Sequence, residues 1–267
     1  MKPGRLVPVM TALITGASGG IGLELARLFA ADGSDVVLVA RSEDKLRALA
    51  EEINRDHGVT AHVYPTDLAE PGASGRICDE LTSAGVQIDA LVNNAGFALF
   101  GPLVALDEDK LDELLQVNIV ALTDLTRRLL PGMLERGRGY VLNVASTAAF
   151  FPGPSMASYY ASKAYVLNFS IAVNEEVRGT GVSVTALCPG PVETGFQARA
   201  EMGGSKLFNA RMSSAAEVAA FGYRAMKARK PLAVEGSRNK VIAFLSRLGP
   251  RPLAAQVTMR AHARQEG

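Results

Sequence analysis

Three residues in the stretch from Asn143 to Lys163, NVASTAAFFPGPSMASYYASK, have side chains that could do chemistry together: Ser146, Tyr159 and Lys163. If Tyr159 and Lys163 lie on one helix, four residues at about 100° each leave them only about 40° apart. A phenol titrates near 10 in water, so alone it is a poor acid or base at neutral pH. An ammonium beside it favours the phenolate and should lower that value. Ser146, a short donor and acceptor, can hold a carbonyl oxygen next to the phenol. Together these groups could move a proton to and from the oxygen of an alcohol or ketone. A tyrosine and a lysine four apart are also common on solvated helix faces, so the surrounding elements must decide.

Those elements are regular. Tyr140–Val144 is an apolar run that reads as a buried strand. It is followed by the punctuated loop Phe151-Pro152-Gly153-Pro154, then by helical periodicity from about Met156 to Val177. Nearer the start, Val9–Thr15 reads as a strand. It leads into Gly16-Ala17-Ser18-Gly19-Gly20-Ile21-Gly22 and then the helical stripe Leu23, Leu25, Ala26, Leu28, Phe29, Ala30. Strand, glycine loop and helix is the setting in which backbone N–H groups can cradle a pyrophosphate. The alternative is a tight turn with glycines for steric reasons alone. Further strands are expected at Asp35–Ala40, Ala61–Pro65, Asp89–Asn93, Val182–Cys188 and Leu232–Val234. Helices are expected at Glu43–His57, about Glu70–Ala84 and Asp107 to about Leu130, the last stopping at Pro131-Gly132. Alternating β and α units predict a parallel, doubly wound sheet in one domain. That domain covers residues 1–236, with 237–267 as its C-terminal extension.

The glycine spacing is TGxxxGxG (Thr15, Gly16, Gly20, Gly22). With Asn93-Asn94-Ala95-Gly96, Ser146 and Tyr159-x-x-x-Lys163 following in order, the chain resembles the short-chain dehydrogenase/reductase family from about Val9 to Val234. The resemblance implies a Rossmann-type, doubly wound seven-stranded parallel sheet with helices on both faces, in the order 3-2-1-4-5-6-7. It implies that Tyr159 is the general acid/base, that Lys163 also binds the nicotinamide ribose, that Ser146 positions the substrate oxygen, and that Asn118 supports a proton relay through a water. The cofactor would lie against Gly16, Ser18, Gly20, Ile21 and Gly22, against Asp67 and Leu68 at the adenine, and against Asn93, Ala95 and Gly96. Pro189, Gly190, Val192 and Thr194 would meet the nicotinamide end.

In a dinucleotide fold the end of the second strand faces the adenosine ribose, where an acid selects NAD. Here Ala40 is followed by Arg41, suited to a 2′-phosphate, so NADP(H) is the expected cofactor. Phe97, Leu99, Phe100, Phe150 and Phe151 suggest an apolar carbonyl or alcohol as substrate. The expected reaction is therefore reversible hydride transfer between NADP(H) and a carbonyl. A silent nucleotide-binding module and a nucleotide-sugar epimerase or dehydratase are the alternatives. Asn118, read alone, also fits an exposed helical residue; Asp67 fits a helix cap, and Arg41 an exposed helix start.

Composition sets limits. The chain has 267 residues, 48% of them hydrophobic, enough to bury a large core. Its two cysteines, Cys78 and Cys188, lack metal-ligand spacing and suit a reducing compartment, so a cytoplasmic protein without a metal site is expected. No apolar run reaches about 18 residues, the length needed to span a membrane, and the N-terminal run reads as a first strand rather than a signal peptide. Nothing points to nucleic acid, and family resemblance implies a homodimer or homotetramer. The net charge of +1 hides an asymmetry: from Lys227 onward nine lysines and arginines face only Glu235 and Glu266, while the preceding 226 residues carry −6. Val241, Ile242, Phe244, Leu245 and Leu248 fall at helical spacing in that basic tail, and Leu253, Val257 and Met259 follow. Such a segment could lie on an anionic membrane surface, or pack over the substrate cleft or a subunit interface. The shortness of its apolar stretches favours packing. Residues Gly195–Met212 are expected to form a mobile substrate lid.

Overall fold

The computed structural model describes residues 10–193, 212–246 and 250–262, the side chains of the last two of these aside. The expected lid, apart from Met212, and the candidate Thr194 lie outside the described residues.

Seven strands form one parallel sheet: β1 (Thr11–Thr15), β2 (Asp35–Ala40), β3 (Ala61–Pro65), β4 (Ala90–Asn93), β5 (Gly139–Val144), β6 (Val182–Cys188) and, after two short strands, β9 (Leu232–Val234). Their order is β3-β2-β1-β4-β5-β6-β9, as the family resemblance implies, with Leu232–Val234 as the seventh and edge strand. The short pair β7 (Val192–Glu193) and β8 (Ser213–Ser214) makes a separate parallel ribbon.

Alternation along each strand sorts side chains to the two faces. Ala12 and Ile14 of β1 and Val36 and Leu38 of β2 point one way, with α1 (Gly20–Ala31), α2 (Glu43–His57) and α7 (Ala215–Lys227). Leu13, Val37 and Val39 point the other way, with α3 (Ala73–Ser83), α5 (Leu122–Glu135) and α6 (Ala157–Glu176). On the first face Phe29 of α1 is fully buried and meets Tyr223 of α7 edge-on, ring centroids 4.9 Å apart. Truncating such a ring to alanine typically costs about 3–5 kcal/mol.

Three boundaries differ from expectation for identifiable reasons. Helix α3 starts at Ala73 rather than Glu70, because Pro71 and then Gly72, with φ of 75°, hold a turn ahead of it. The single helix expected over 107–130 is three pieces: α4 (Glu108–Leu115), a π-helical segment over Gln116–Ala121, and α5. Asp107 caps the first piece by accepting from the Lys110 N–H at 2.9 Å. Pro131 does not stop α5, which runs on to Glu135. The turn beyond the proline is held by Met133, fully buried, against Gly139, where a Cβ would stand 2.7 Å from the methionine side chain.

Beyond β9 come α8 (Ser237–Leu245) and α9 (Arg251–His262). None of the described helices is long and apolar enough to cross a membrane.

Candidate active site

The parallel sheet brings the carboxyl ends of its strands to one edge, and the residues singled out for chemistry collect there. β5 ends at Val144, and Ser146 then caps the 3₁₀ turn Thr147–Phe150, its hydroxyl accepting from the Ala148 N–H at 3.1 Å. Helix α6 carries Tyr159 and Lys163 back across that turn. Tyr159 is 9% exposed and its phenol is hydrogen-bonded by the Ser146 hydroxyl. Lys163, 5% exposed, donates from Nζ to the Val144 carbonyl at 2.8 Å and stands 5.8 Å from the centre of the Tyr159 ring.

Burial dominates the electrostatics. It pushes the Tyr159 phenol up to about 12, against a smaller lowering from the Ser146 hydrogen bond, and it pushes Lys163 down to about 8. The lowering of the phenol expected from the ammonium is therefore not what governs this protein. Desolvation disfavours the charged form of both groups.

Asn118 lies within the π-helical segment and is 1% exposed, so it is not an exposed helical residue. Its Nδ2 donates to the Phe97 carbonyl and to Ser162 Oγ, both at 3.0 Å, and its Oδ1 accepts from the Phe97 N–H at 3.1 Å. Ser162 in turn donates to the Tyr159 carbonyl at 2.7 Å. Asn118 thus ties the loop after β4 to the helix bearing the tyrosine. A Cβ at Gly96 would stand 3.0 Å from Asn118 Oδ1 and 3.4 Å from Lys163 Nζ, so both polar groups border the same spot beside that glycine.

Around Tyr159 the wall is apolar: Phe97, Leu99, Phe100 and Phe151 pack with Met156, Tyr159 and Tyr160. Phe150 departs from expectation, packing instead against the cluster that holds Leu122 and Val166. It follows the 3₁₀ turn away from the tyrosine.

The glycine loop sits at the end of β1. Gly16 and Gly20 have φ of 66° and 57°, which β-carbon-bearing residues rarely adopt. A Cβ at Gly22 would fall 2.4 Å from the Gly16 carbonyl oxygen, and one at Gly16 or Gly22 would strike the Asn94 amide. The steric reading of these glycines is thus part of their role. Helix α1 has no side-chain cap and no acid in its first turn, which leaves its leading N–H groups, around Gly20 and Ile21, for an anion. Ser18 stands partly exposed just before them.

Asn94 Nδ2 donates to the Thr15 carbonyl at 3.0 Å, while Thr15 Oγ1 accepts from the Asn94 and Ala95 N–H groups. Asn93 turns inward: at 3% exposed, it donates to Asn143 Oδ1 at 2.9 Å and to Thr126 Oγ1 at 3.1 Å. Its side chain therefore ties β4 to β5 and α5 rather than facing the loop edge, while the Ala95 and Gly96 backbone stays at that edge.

At the end of β2, Arg41 is 62% exposed and pairs loosely with Asp67, Nη1 to Oδ2 3.6 Å. Asp67 Oδ1 accepts from the Ala69 N–H at 2.9 Å, so it caps a turn rather than helix α3, and Leu68 is buried. On the far side Pro189 accepts from the Thr147 N–H at 2.9 Å, linking that loop to the turn after Ser146. Gly190 packs against Asn239 of α8, and Val192 pairs with Ser213 in the small ribbon.

A family model described as short chain dehydrogenase matches residues 10–203. The chain belongs to the short chain dehydrogenase family. It is 40% identical over 187 residues to a short chain dehydrogenase of Pseudocercospora fijiensis, a match covering 69% of this chain and 60% of that protein. It is 36% identical over 189 residues to a very-long-chain 3-oxoacyl-CoA reductase of Anas platyrhynchos, covering 68% of this chain and again 60% of the relative. The match thus spans about three fifths of the length of these two relatives. Among solved structures, a short-chain dehydrogenase from Sphingobium yanoikuyae in complex with NADPH superposes with a TM-score of 0.82 at 30% identity, covering 97% of this chain and 98% of that one.

The roles of four residues in this short chain dehydrogenase escaped the sequence reading, which named Thr15 only as part of the glycine motif and Asn143 only as part of a strand. Thr15, Asn143 and Ser162 are buried polar residues that carry the hydrogen bonds described above, or extend them (Asn143 Nδ2 donates to Ser170 Oγ at 2.9 Å). The signal available was a hydroxyl or amide inside an otherwise apolar strand or helix face, which must find a partner when buried. Asn239 gave no such signal, because its partner loop at Gly190 is distant in sequence.

Proposed function

We propose that this short chain dehydrogenase is an NADP(H)-dependent oxidoreductase that interconverts a carbonyl and a secondary alcohol on an apolar substrate. The observation that carries the reading is the buried trio: the Tyr159 phenol hydrogen-bonded by Ser146, with Lys163 behind it and an aromatic wall around it. The residues present fit the cofactor. The uncapped start of α1 and the glycines at positive φ suit a pyrophosphate, and Arg41, exposed and only loosely paired, suits a 2′-phosphate. The NADPH carried by the Sphingobium structure supports that choice.

NADP(H), when bound, supplies or takes up the hydride. In reduction the Tyr159 hydroxyl gives its proton to the carbonyl oxygen; in oxidation the phenolate takes the proton back. The Ser146 hydroxyl donates to the same oxygen and holds it beside the phenol. In this reading the Lys163 ammonium binds ribose hydroxyls and, 5.8 Å from the centre of the Tyr159 ring, offsets part of the desolvation cost of the phenolate. Asn118 acts as a positioning residue through Phe97 and Ser162, and its Oδ1 and Lys163 Nζ border a spot where one water would connect the lysine outward. The very-long-chain 3-oxoacyl-CoA reductase relative favours 3-oxoacyl thioesters among apolar carbonyls. Cytoplasmic location remains part of this reading. Homo-oligomerisation does too, through the outer face of α4, the π-helical segment and α6, where Leu115, Val120, Tyr165 and Ile171 are exposed and Val120 and Tyr165 line a cleft of about 310 Å³.

The test is purified protein with NADPH against aldehydes, ketosteroids, quinones and 3-oxoacyl thioesters of increasing chain length. Turnover should rise with apolar length, and absence of NADPH oxidation across the whole panel would reject the reading.

A further inference from the structure

Helix α8 is inside out by the usual standard of a surface helix, which turns its apolar stripe to the core. The residues it turns to the protein, at spacings of three and four, are Asn239, Ile242, Ala243 and Ser246. Of these only Ala243 is buried, at 7% exposed, and Asn239 is held by donating to the Glu235 carbonyl at 2.8 Å. Three large apolar side chains point the other way: Val241, Phe244 and Leu245 are 57%, 61% and 55% exposed. Helix α9 repeats the pattern. Ala254, Ala255 and Thr258 are the partly covered residues, and Leu253, Val257 and Met259 stand 56–61% exposed. These six side chains therefore do not pack over this chain's own cleft, one of the two packings the sequence favoured; the other is a subunit interface.

The same outward surface is cationic. Arg238 and Lys240, both exposed, flank the apolar residues of α8, and the exposed Arg260 lies on the same side of α9 as Leu253 and Val257. Between Gly236 and Gln265 there is no acidic residue. We infer that the outward faces of α8 and α9 form a docking surface for an anionic lipid bilayer. Apolar side chains would enter the headgroup boundary while arginine and lysine stems reach up beside them to the phosphates. A second copy of the chain is a poorer fit. Two copies meeting tail to tail would face cation with cation, and the protein has another exposed apolar face, around Val120 and Tyr165. There the arginines are already neutralised: Arg127 and Arg128 both pair with Asp124. This inference does not depend on which substrate is reduced. The inner face of α8 rests on Gly190 and near the turn after Ser146, so the lipid-facing surface and the catalytic loops stand about one helix diameter, roughly 10 Å, apart.

The experiment is flotation of the full chain with phosphatidylcholine vesicles, with and without phosphatidylglycerol, at low and then rising salt, beside the oligomeric state in solution. Wild type should float with the anionic vesicles alone and release as salt screens the attraction. Phe244→Glu with Leu245→Glu, and separately Arg238→Glu with Lys240→Glu, should each weaken flotation at least tenfold while NADPH binding and melting temperature hold. Failure of wild type to float at low salt overturns the inference, as does flotation that the Phe244/Leu245 pair leaves unchanged. Loss of the oligomer in that variant, with no vesicle binding by wild type, would assign the surface to a second copy instead.

Discussion

At the end of β2 the Arg41 side chain is 62% exposed, and its acidic neighbour Asp67 stands 3.6 Å away. At the end of β5, Lys163 is 5% exposed and its ammonium is committed to the Val144 carbonyl at 2.8 Å. Both are single cations placed by strand ends of one sheet, yet their surroundings make them different tools. Water screens Arg41, so its charge is available to a ligand and costs the fold little. Lys163 has lost that solvent, and its charge is held at the expense of stability until something in the site shares it. The comparison predicts that substitutions at the buried end change chemistry and pH dependence, whereas substitutions at the exposed end change only which nucleotide is preferred.

The strongest way to break that comparison is Tyr159→Phe. It keeps the ring in the cluster with Phe97, Phe100 and Met156 and removes only the transferable proton. Turnover should fall by about 10²–10⁴, the range for loss of a general acid/base, while NADPH titration shows affinity unchanged. Retained turnover would mean that the proton comes from another group.

The second test uses linkage. Burial lowers Lys163 from 10.5 to about 8. A base whose folded value lies below its unfolded value costs stability while protonated. That cost is complete below about pH 8 and is relieved as pH rises toward 10.5, where the unfolded chain releases its proton too. Denaturant unfolding of wild type against Lys163→Met should therefore show wild type gaining, relative to the variant, on the order of 1–3 kcal/mol between those pH values. A flat difference would show that the ammonium is better solvated than its burial implies.

How much of this contrast was legible in the sequence depends on range. The strands and the glycine turn could be read because apolar runs, φ-permissive glycines and β/α alternation are local signals, whereas the strand order came only from the family resemblance. Burial of Tyr159 was not readable, because most of the residues that desolvate it come from a loop about sixty positions away, Phe97–Phe100, and only Phe151 from nearby. The sequence therefore led to a lowered phenol where the structure raises it. The π-helical segment at Asn118 has the periodicity of an ordinary helix, so only the added turn-to-turn register in three dimensions reveals it. In the tail, helical spacing of Val241, Phe244 and Leu245 announces an apolar face but not which way it points.

At the exposed end the effect should be smaller and selective. Arg41→Ala removes one solvated cation, so the loss for NADPH should sit near the lower end of the range for a charged hydrogen bond, about 1.5 kcal/mol or roughly tenfold in affinity. NADH affinity should hold, because the cation meets nothing that NADH carries. Titrating both nucleotides against wild type and variant checks this. An equal loss for both would mean that Arg41 acts through the turn at Asp67 rather than through a phosphate.

The smallest effect belongs to Tyr160, and it sharpens the comparison because Tyr160 is as buried as Tyr159. It is 8% exposed, its phenol too is pushed up by burial, and its ring meets that of Tyr159 edge-on at 6.1 Å. What it lacks is the Ser146 hydrogen bond. Its ring instead fills the space over Gly153, where a Cβ would stand 2.3 Å from the ring carbons. If burial alone made a catalytic residue, Tyr160→Phe would be as damaging as Tyr159→Phe. On the present argument the hydroxyl of Tyr160 serves packing and hydrogen bonding only. Its loss should therefore cost about 1 kcal/mol of stability, the usual net worth of one hydrogen bond, and leave turnover within about a factor of two. Gly153→Ala, by contrast, would displace the ring itself and should lower both melting temperature and turnover. A Tyr160→Phe variant that is inactive while still folded would move the proton donor one residue along α6 and undo the assignment of Ser146 with it.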